Sequence, residues 1–336
     1  MKAIRLHELG GPEKLVYEEL PLRDPGADEV VVRLKAAALN HRDVWIRKGL
    51  YAGIKLPVVL GSDGSGVVCA IGSDVSSSLL NQEVVINPSL GWGEDEKVQS
   101  AGFKILGLPD DGTYAENVIV PAANVHEKPK SLSFEEAAAI PLASLTTYRA
   151  LVTRAQVKSG ETVVVTGIGG GVATFALLMA LKLGARVFVT SGSDAKLERA
   201  KNLGALGGVN YQDPDWVKDL IEMCGNGGPD VIIDSAGGET FAKAIELVRP
   251  GGRIVTFGAT TGGAKQIEVR RIFWKQLTIC GSTMGSPGEF EKALALFAQG
   301  DLKPVIDTVF PLSEAQEAHR RMEEAEQFGK IVLQIG

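Results

Sequence analysis

The residues with the clearest chemical use are glycines that follow a β-branched run. Thr162-Val163-Val164-Val165 leads into Thr166-Gly167-Ile168-Gly169-Gly170-Gly171-Val172-Ala173. A strand, a glycine turn and an apolar helix in that order form a cradle for the diphosphate of a dinucleotide. The glycines permit positive φ and close backbone approach, and the helix presents N-terminal amides and partial positive charge. Val172, Phe175, Ala176, Met179, Ala180 and Leu183 share one helical face, which can lie on a sheet. Two glycine registers compete, Gly167-x-Gly169 and Gly167-x-x-Gly170-x-x-Ala173. The second is preferred, because it ends on Ala173, a residue small enough for close helix–strand packing.

The end of the next strand selects the nucleotide. An NAD site places Asp or Glu about 20 residues downstream, on the ribose hydroxyls. Here the chain reads Thr190-Ser191-Gly192-Ser193. That stretch leaves room for a 2′-phosphate, and Lys196, with Arg199 beyond it, can reach one. NADPH is therefore the expected cofactor, and Asp194 is the argument for NAD.

The elements that must hold these groups follow from periodicity. At about 150 residues per domain, 336 residues make two domains. Up to residue 125 the pattern is strand-rich, with Val30–Leu34, Gly66–Ile71, Glu83–Ile86 and Thr113–Val120 set between Gly and Pro turns. Beyond 126 the period changes. A helix is expected over Phe134–Leu151, then strands at Thr162–Thr166, Arg186–Thr190, Asp230–Asp234, Arg253–Phe257 and Leu277–Gly281, alternating with helices of crossover length. The fold class is α/β: a Rossmann-type doubly wound parallel sheet over residues 126–285, with a second, mostly β domain over 1–125 and 286–336.

Composition narrows the function classes. With 45% hydrophobic and 23% charged residues the chain can bury a core. Its 35 basic against 41 acidic side chains offer no footprint for nucleic acid. Cys69, Cys224 and Cys280 are scattered and form no C-x-x-C hook, which fits a reducing, cytoplasmic setting. The start lacks an apolar signal core, and the apolar run Val172–Leu181 is about half a membrane span, so no membrane partner is expected.

Several motifs together resemble the medium-chain dehydrogenase/reductase superfamily, and within it the zinc-independent quinone and enone oxidoreductases. They are Met1-Lys2-Ala3, Leu39 to Tyr51, Gly61-Ser62-Asp63-Gly64-Ser65-Gly66, Gly112 to Glu116, Thr146-Thr147-Tyr148, the glycine turn and Val248-Arg249-Pro250-Gly251-Gly252. The resemblance spans the chain and implies that its first domain is GroES-like. It also implies that Asn40, Asp43, Tyr51 and Ser62 line the substrate cleft near the nicotinamide, with Trp45 on its wall. Thr147, Gly167, Gly169, Gly170, Gly171, Val172, Ser191, Lys196, Tyr211, Ser235, Phe257, Gly258 and Met284 are the implied cofactor contacts, Lys196 and Tyr211 flanking the 2′-phosphate.

Zinc-dependent members of the superfamily carry Cys where this chain has Asn40 and His where it has Ser62. Neither substitute is a good zinc ligand, and His7, His41, His126 and His319 show no metal spacing. Residues 87–108, where relatives carry a four-cysteine site, contain no cysteine, so packing of Trp92 with Phe103 is expected to order that lobe. No metal is expected. Hydride addition to an enone or quinone builds negative charge on a carbonyl oxygen, which Asn40 and Tyr51 can meet as donors, with Tyr51 the better proton source. Asp43 is expected to fix backbone rather than transfer protons. The expected activity is NADPH-dependent reduction of a quinone or α,β-unsaturated carbonyl. An alcohol or aldehyde dehydrogenase, and a nucleotide-binding protein with little turnover, are the alternatives. The β-prone run Leu277–Gly281 at a sheet edge, with the resemblance, implies a homodimer or a multiple of one.

Overall fold

In the computed structural model, which describes residues 1–300 and 302–336, the chain divides into two compact units. The first comprises Met1–Leu145 and Gly285–Gly336, the second Thr146–Met284. The first unit runs past the boundary expected at 125. Strand Val125–Glu127 pairs antiparallel with Glu83–Ile86, and helix Phe134–Ala138 packs on Glu29–Ala38 and Asp63–Ile71. Those contacts keep 126–145 with the β domain.

The spine of the first unit is Glu29–Ala38, whose alternating Val30, Val32 and Leu34 enter the main core. At its far end Ala36 and Ala38 meet Ala138 and Ala139, where small side chains let the short helix approach the sheet. Gly66 lies beside a register shift in the antiparallel pairing of Glu29–Ala38 with Asp63–Ile71, and a Cβ there would stand 2.1 Å from the Arg33 carbonyl oxygen. The C-terminal strand Lys330–Gln334 completes the arrangement, antiparallel to Glu29–Ala38 and parallel to Ile306–Pro311. The lobe between residues 87 and 108 is ordered as expected, with the Trp92 and Phe103 rings edge to face at 5.4 Å beside the hairpin Ser89–Leu90/Lys104–Ile105.

The second unit is a six-stranded parallel sheet. Its order is Gly207–Asn210, Arg186–Ser191, Thr162–Val165, Val231–Asp234, Arg253–Thr256, Thr278–Gly281. The order reverses after Thr162–Val165, and that crevice is where open α/β sheets bind ligands.

Two expectations need correction. The helix expected over Phe134–Leu151 is broken into Phe134–Ala138 and Pro141–Tyr148, then a wide turn in which the Ala155 N–H donates to Ala150 O. Pro141 supplies no N–H and disfavours helical backbone before it. The strand expected over Thr113–Val120 is shortened to Asn117–Pro121, because the Thr113 and Tyr114 amides donate to Gly61 and Leu60 carbonyls.

Candidate active site

In the second unit the glycine turn sits at the carboxyl end of Thr162–Val165. Gly167 and Gly169 take φ of +65° and +133°, and a Cβ on Gly167 would meet nothing within 4 Å, so the space over the turn is open. The Gly167 and Ile168 amides donate to Thr190 Oγ1 (3.1 Å) and Thr190 O (2.8 Å), tying the turn to the neighbouring strand. Helix Gly171–Lys182 follows at once, capped by Gly170, whose carbonyl accepts from the Thr174 N–H at 3.0 Å. The amides of Gly171, Val172 and Ala173 precede that first intrahelical bond and are the donors a diphosphate would meet. Buried Thr147 braces the helix start, its hydroxyl donating to Val172 O at 3.2 Å. These features fit a dinucleotide.

The remaining expected contacts cluster at strand ends of the same unit. Ser235 follows Val231–Asp234, and Gly258 lies so near it that a Cβ would stand 2.8 Å from Ser235 O. Half-buried Phe257 precedes Gly258, and Met284, at φ +41°, places its sulfur 4.0 Å from Thr146 Oγ1. Asp234 underpins these loops. It accepts from Thr166 Oγ1 at 2.8 Å and from the Gly237 amide at 3.1 Å, while burial pushes its pKa up.

The selectivity corner is built from Ser191, Gly192, Lys196 and Tyr211. Ser191 O accepts from the Tyr211 N–H at 3.0 Å, and the Tyr211 hydroxyl is 2.7 Å from where a Gly192 Cβ would stand. Lys196 is half-buried in helix Asp194–Asn202. Asp194, at the start of that helix, accepts from Asn210 Nδ2 at 2.9 Å and is turned toward that partner.

In the first unit the expected chemical residues lie at one end of the spine. Asn40 caps the short helix His41–Arg47, and its backbone N–H donates to Asp43 Oδ2 at 2.9 Å. Its side chain is held from both sides. Oδ1 accepts from Lys330 Nζ at 2.8 Å, and Nδ2 donates to Asp63 Oδ2 at 2.9 Å. The ammonium of Lys330 spends its other two donors on Asp63 Oδ2 (2.8 Å) and Leu39 O (2.7 Å). Asp63 Oδ1 accepts the Leu142 amide at 2.8 Å, so a fully buried ion pair has its polar atoms satisfied. One Nδ2 hydrogen of Asn40 is left to donate elsewhere.

Asp43 is wholly buried and accepts from Tyr114 Oη at 2.8 Å. Burial raises the pKa of Asp43, and burial together with that carboxylate raises the Tyr114 phenol well above its ordinary value. Asp43 thus anchors the helix start. Ser62 is also wholly buried, donating to Leu106 O (2.8 Å) and accepting from Arg42 Nη1 (2.6 Å), so its hydroxyl positions Arg42. Tyr51 is half-buried, with the Arg42 guanidinium carbon 5.2 Å from its ring centroid.

This donor set does not suit zinc. The Asn40 oxygen faces an ammonium, the Ser62 hydroxyl faces a guanidinium, and the described residues contain no group of three His, Cys, Asp or Glu able to hold a metal. The roles of Arg42, Asp63, Tyr114 and Lys330 in this cluster appear only in the folded chain. A lysine opening the apolar run Ile331-Val332-Leu333 was the available signal, since a buried ammonium needs an acidic partner.

Two family models match: an alcohol dehydrogenase GroES-like domain over residues 26–130 and a zinc-binding dehydrogenase domain over 171–299. A zinc-type alcohol dehydrogenase-like protein of Schizosaccharomyces pombe is 37% identical, covering 98% of this chain and 97% of its own length. The chain belongs to the medium-chain dehydrogenase/reductase superfamily. A human quinone oxidoreductase of this superfamily is 29% identical over 96% of the chain and 94% of its own. A crystal structure of an NAD-dependent alcohol dehydrogenase superposes with a TM-score of 0.95 at 46% identity, over the whole of both chains. This member of the superfamily is an oxidoreductase. No helix among its described residues is long and apolar enough to cross a membrane.

Proposed function

We propose that the protein is an NADPH-dependent, zinc-independent reductase of quinones or α,β-unsaturated carbonyls, with Asn40 and Tyr51 at the reacting oxygen. The observation that carries this reading is the Asn40 amide, held between Lys330 and Asp63 at the position where zinc-dependent members carry a cysteine ligand. NADPH, when bound, supplies a hydride. The residues of the chain bind and orient. Gly167 to Val172 would hold the diphosphate, Thr147 braces that helix, and Lys196 with Tyr211 would receive the 2′-phosphate. Asn40, locked by Lys330 and Asp63, offers its free N–H to the substrate oxygen without a rotamer to lose on binding. The Tyr51 hydroxyl is the proposed proton source.

The corner at Ser191 supports NADPH because Ser191 stands where an NAD site carries an acid and Asp194 is engaged by Asn210, although the 46% identical solved relative is named for NAD. We further propose a homodimer through the edge strand Thr278–Gly281. Ile279 on that strand is 36% exposed, and in the preceding helix Phe273 and Trp274 are 63% and 83% exposed. Steady-state oxidation of NADPH and NADH with a panel of quinones, enones, aldehydes and alcohols tests the function. Turnover of enones or quinones with NADPH supports it, and turnover confined to alcohols with NAD would replace it with the alcohol dehydrogenase reading.

A further inference from the structure

Arg42 carries a buried charge that the protein leaves half-used. The side chain is 8% exposed, on the first turn of helix His41–Arg47. Nη1 alone is engaged, and only with neutral acceptors: Ser62 Oγ at 2.6 Å and Leu106 O at 2.9 Å. Nε is buried and has no partner. Nη2 bonds no protein atom and, unlike Nε, is not sealed from its surroundings. No carboxylate of the described residues forms an ion pair with it, and the nearest acid influence, Asp43, acts through space. Other buried basic side chains have carboxylate partners: Lys330 is paired with Asp63, Arg47 with Glu323 and Lys128 with Glu83. Burying a guanidinium without a carboxylate is unfavourable unless something else meets it.

The placement says what meets it. Ser62 accepts from Arg42 Nη1 while donating to Leu106 O at 2.8 Å, and Nη1 also donates to Leu106 O, so the two acceptors together fix the guanidinium. Tyr51 lies against the guanidinium, with its ring centroid 5.2 Å from Cζ. A rigid cation with free N–H donors therefore stands next to the residue proposed to protonate the substrate.

We propose that Arg42 is a catalytic residue that receives the substrate's carbonyl oxygen on its free N–H groups, supplying by hydrogen bonding the positive charge that a metal supplies elsewhere in the superfamily. The inference rests on the enone-reductase reading above. In the step, hydride from NADPH forms the new C–H bond at the β-carbon and the C=C electron pair shifts to leave an enolate. The cofactor is oxidised to NADP⁺, the substrate takes up two electrons, and Arg42 keeps all its protons. The Tyr51 hydroxyl would then give its proton to the α-carbon, and the phenolate would take one back from solvent water. The guanidinium is worth more to the enolate than to the neutral carbonyl, as rate acceleration requires. Substrates whose carbonyl oxygen can gain full negative charge are the class selected.

The test uses the full chain with Arg42→Met and Arg42→Lys, following reduction of 2-cyclohexenone by NADPH, and separately the ionisation of 4-nitrophenol bound to the protein. Arg42→Met should lower kcat/KM by about 10²–10³-fold, mostly in kcat, with NADPH binding unchanged. Arg42→Lys, which keeps the charge and loses the planar fork, should fall between. Bound 4-nitrophenol should ionise at lower pH on the unmodified protein than on Arg42→Met, a spectroscopic signature that a purely structural arginine would not give. If the unmodified protein reduces the enone and Arg42→Met does so within threefold, Arg42 is overturned and the enone reading stands. If the unmodified protein does not reduce the enone, that reading fails. The nitrophenol titration then decides alone, and equal ionisation in the two proteins overturns the oxyanion role. Should Arg42→Met not fold, Arg42→Lys carries the same comparisons.

Discussion

Replacing Lys330 with Met isolates the network that holds Asn40. The ammonium makes three bonds, to Leu39 O, Asn40 Oδ1 and Asp63 Oδ2, all between 2.7 and 2.8 Å and all away from solvent. Met keeps an unbranched apolar stem one atom shorter and removes every donor. Asp63 would then keep a buried charge with only the Asn40 amide and the Leu142 N–H to answer it. Breaking one partner of such a pair costs about 3–5 kcal/mol. For a unit of this size that is a fall of roughly 6–20 °C in the melting temperature of the first unit. The assay is thermal unfolding by near-UV circular dichroism, with Asp63→Asn and the double variant completing a cycle. The double variant should recover much of the loss, because no charge is stranded. Turnover of Lys330→Met below its melting point should also fall, since Asn40 loses one of the two contacts that fix its amide. A Lys330→Met protein within about 1 kcal/mol of the original, with full activity, would refute the reasoning, because a buried ammonium with three short bonds cannot be idle.

Lys196→Ala should weaken NADPH binding about tenfold or more and leave NADH nearly unchanged, a charge-assisted phosphate contact being worth ~1.5–3 kcal/mol; calorimetric titration with both nucleotides reads it, and equal losses would remove Lys196 from the phosphate. Tyr51→Phe should lower kcat and kcat/KM together with little change in KM, by up to ~10²–10³-fold if the phenol meets developing charge; near-normal turnover assigns the proton to solvent. Burial, with Arg47 beside it, holds the His319 pKa down to about 3 from 6.5. Its folded pKa being depressed, the unfolded chain takes up the proton first, so stability is complete above pH 6.5 and drains away toward the folded value. Urea midpoints between pH 7 and about pH 4 should record on the order of 3 kcal/mol of this, flattened in His319→Asn; an unaltered slope would contradict it. Ile279→Asp should convert a dimer to monomer in sedimentation, and an original protein that sediments as a monomer at micromolar concentration removes the proposed assembly.

The parallel sheet was legible because its signals are local. Four-residue β-branched runs such as Thr162–Val165 and Val231–Asp234 stand next to glycine turns, and the chemistry of the cradle belongs to the backbone itself. Gly207–Asn210 escaped notice because two of its four residues are glycines and its pairing with Arg186–Ser191 is a tertiary matter. The chemical cluster was half legible. Asn40, Asp43 and Tyr51 announce themselves within twelve residues, whereas Lys330 reaches them from the other end of the chain, 290 positions from Asn40. Burial, too, is invisible in a single sequence. Ser62 has the chemistry of a donor, yet it is closed between Arg42 and Leu106, and Asp43, an acid beside the reacting groups, is held under Tyr114.

In the proposed reaction hydride passes to the β-carbon of a conjugated carbonyl without a metal. The most direct measurement is single-turnover transfer from 4-deuterated NADPH to 2-cyclohexenone by chelator-treated protein, with the zinc content determined on the same sample. The account predicts one deuterium at the β-carbon of the saturated ketone and no dependence on zinc. Deuterium at the carbonyl carbon of an allylic alcohol, or transfer that appears only when zinc is restored, would contradict it.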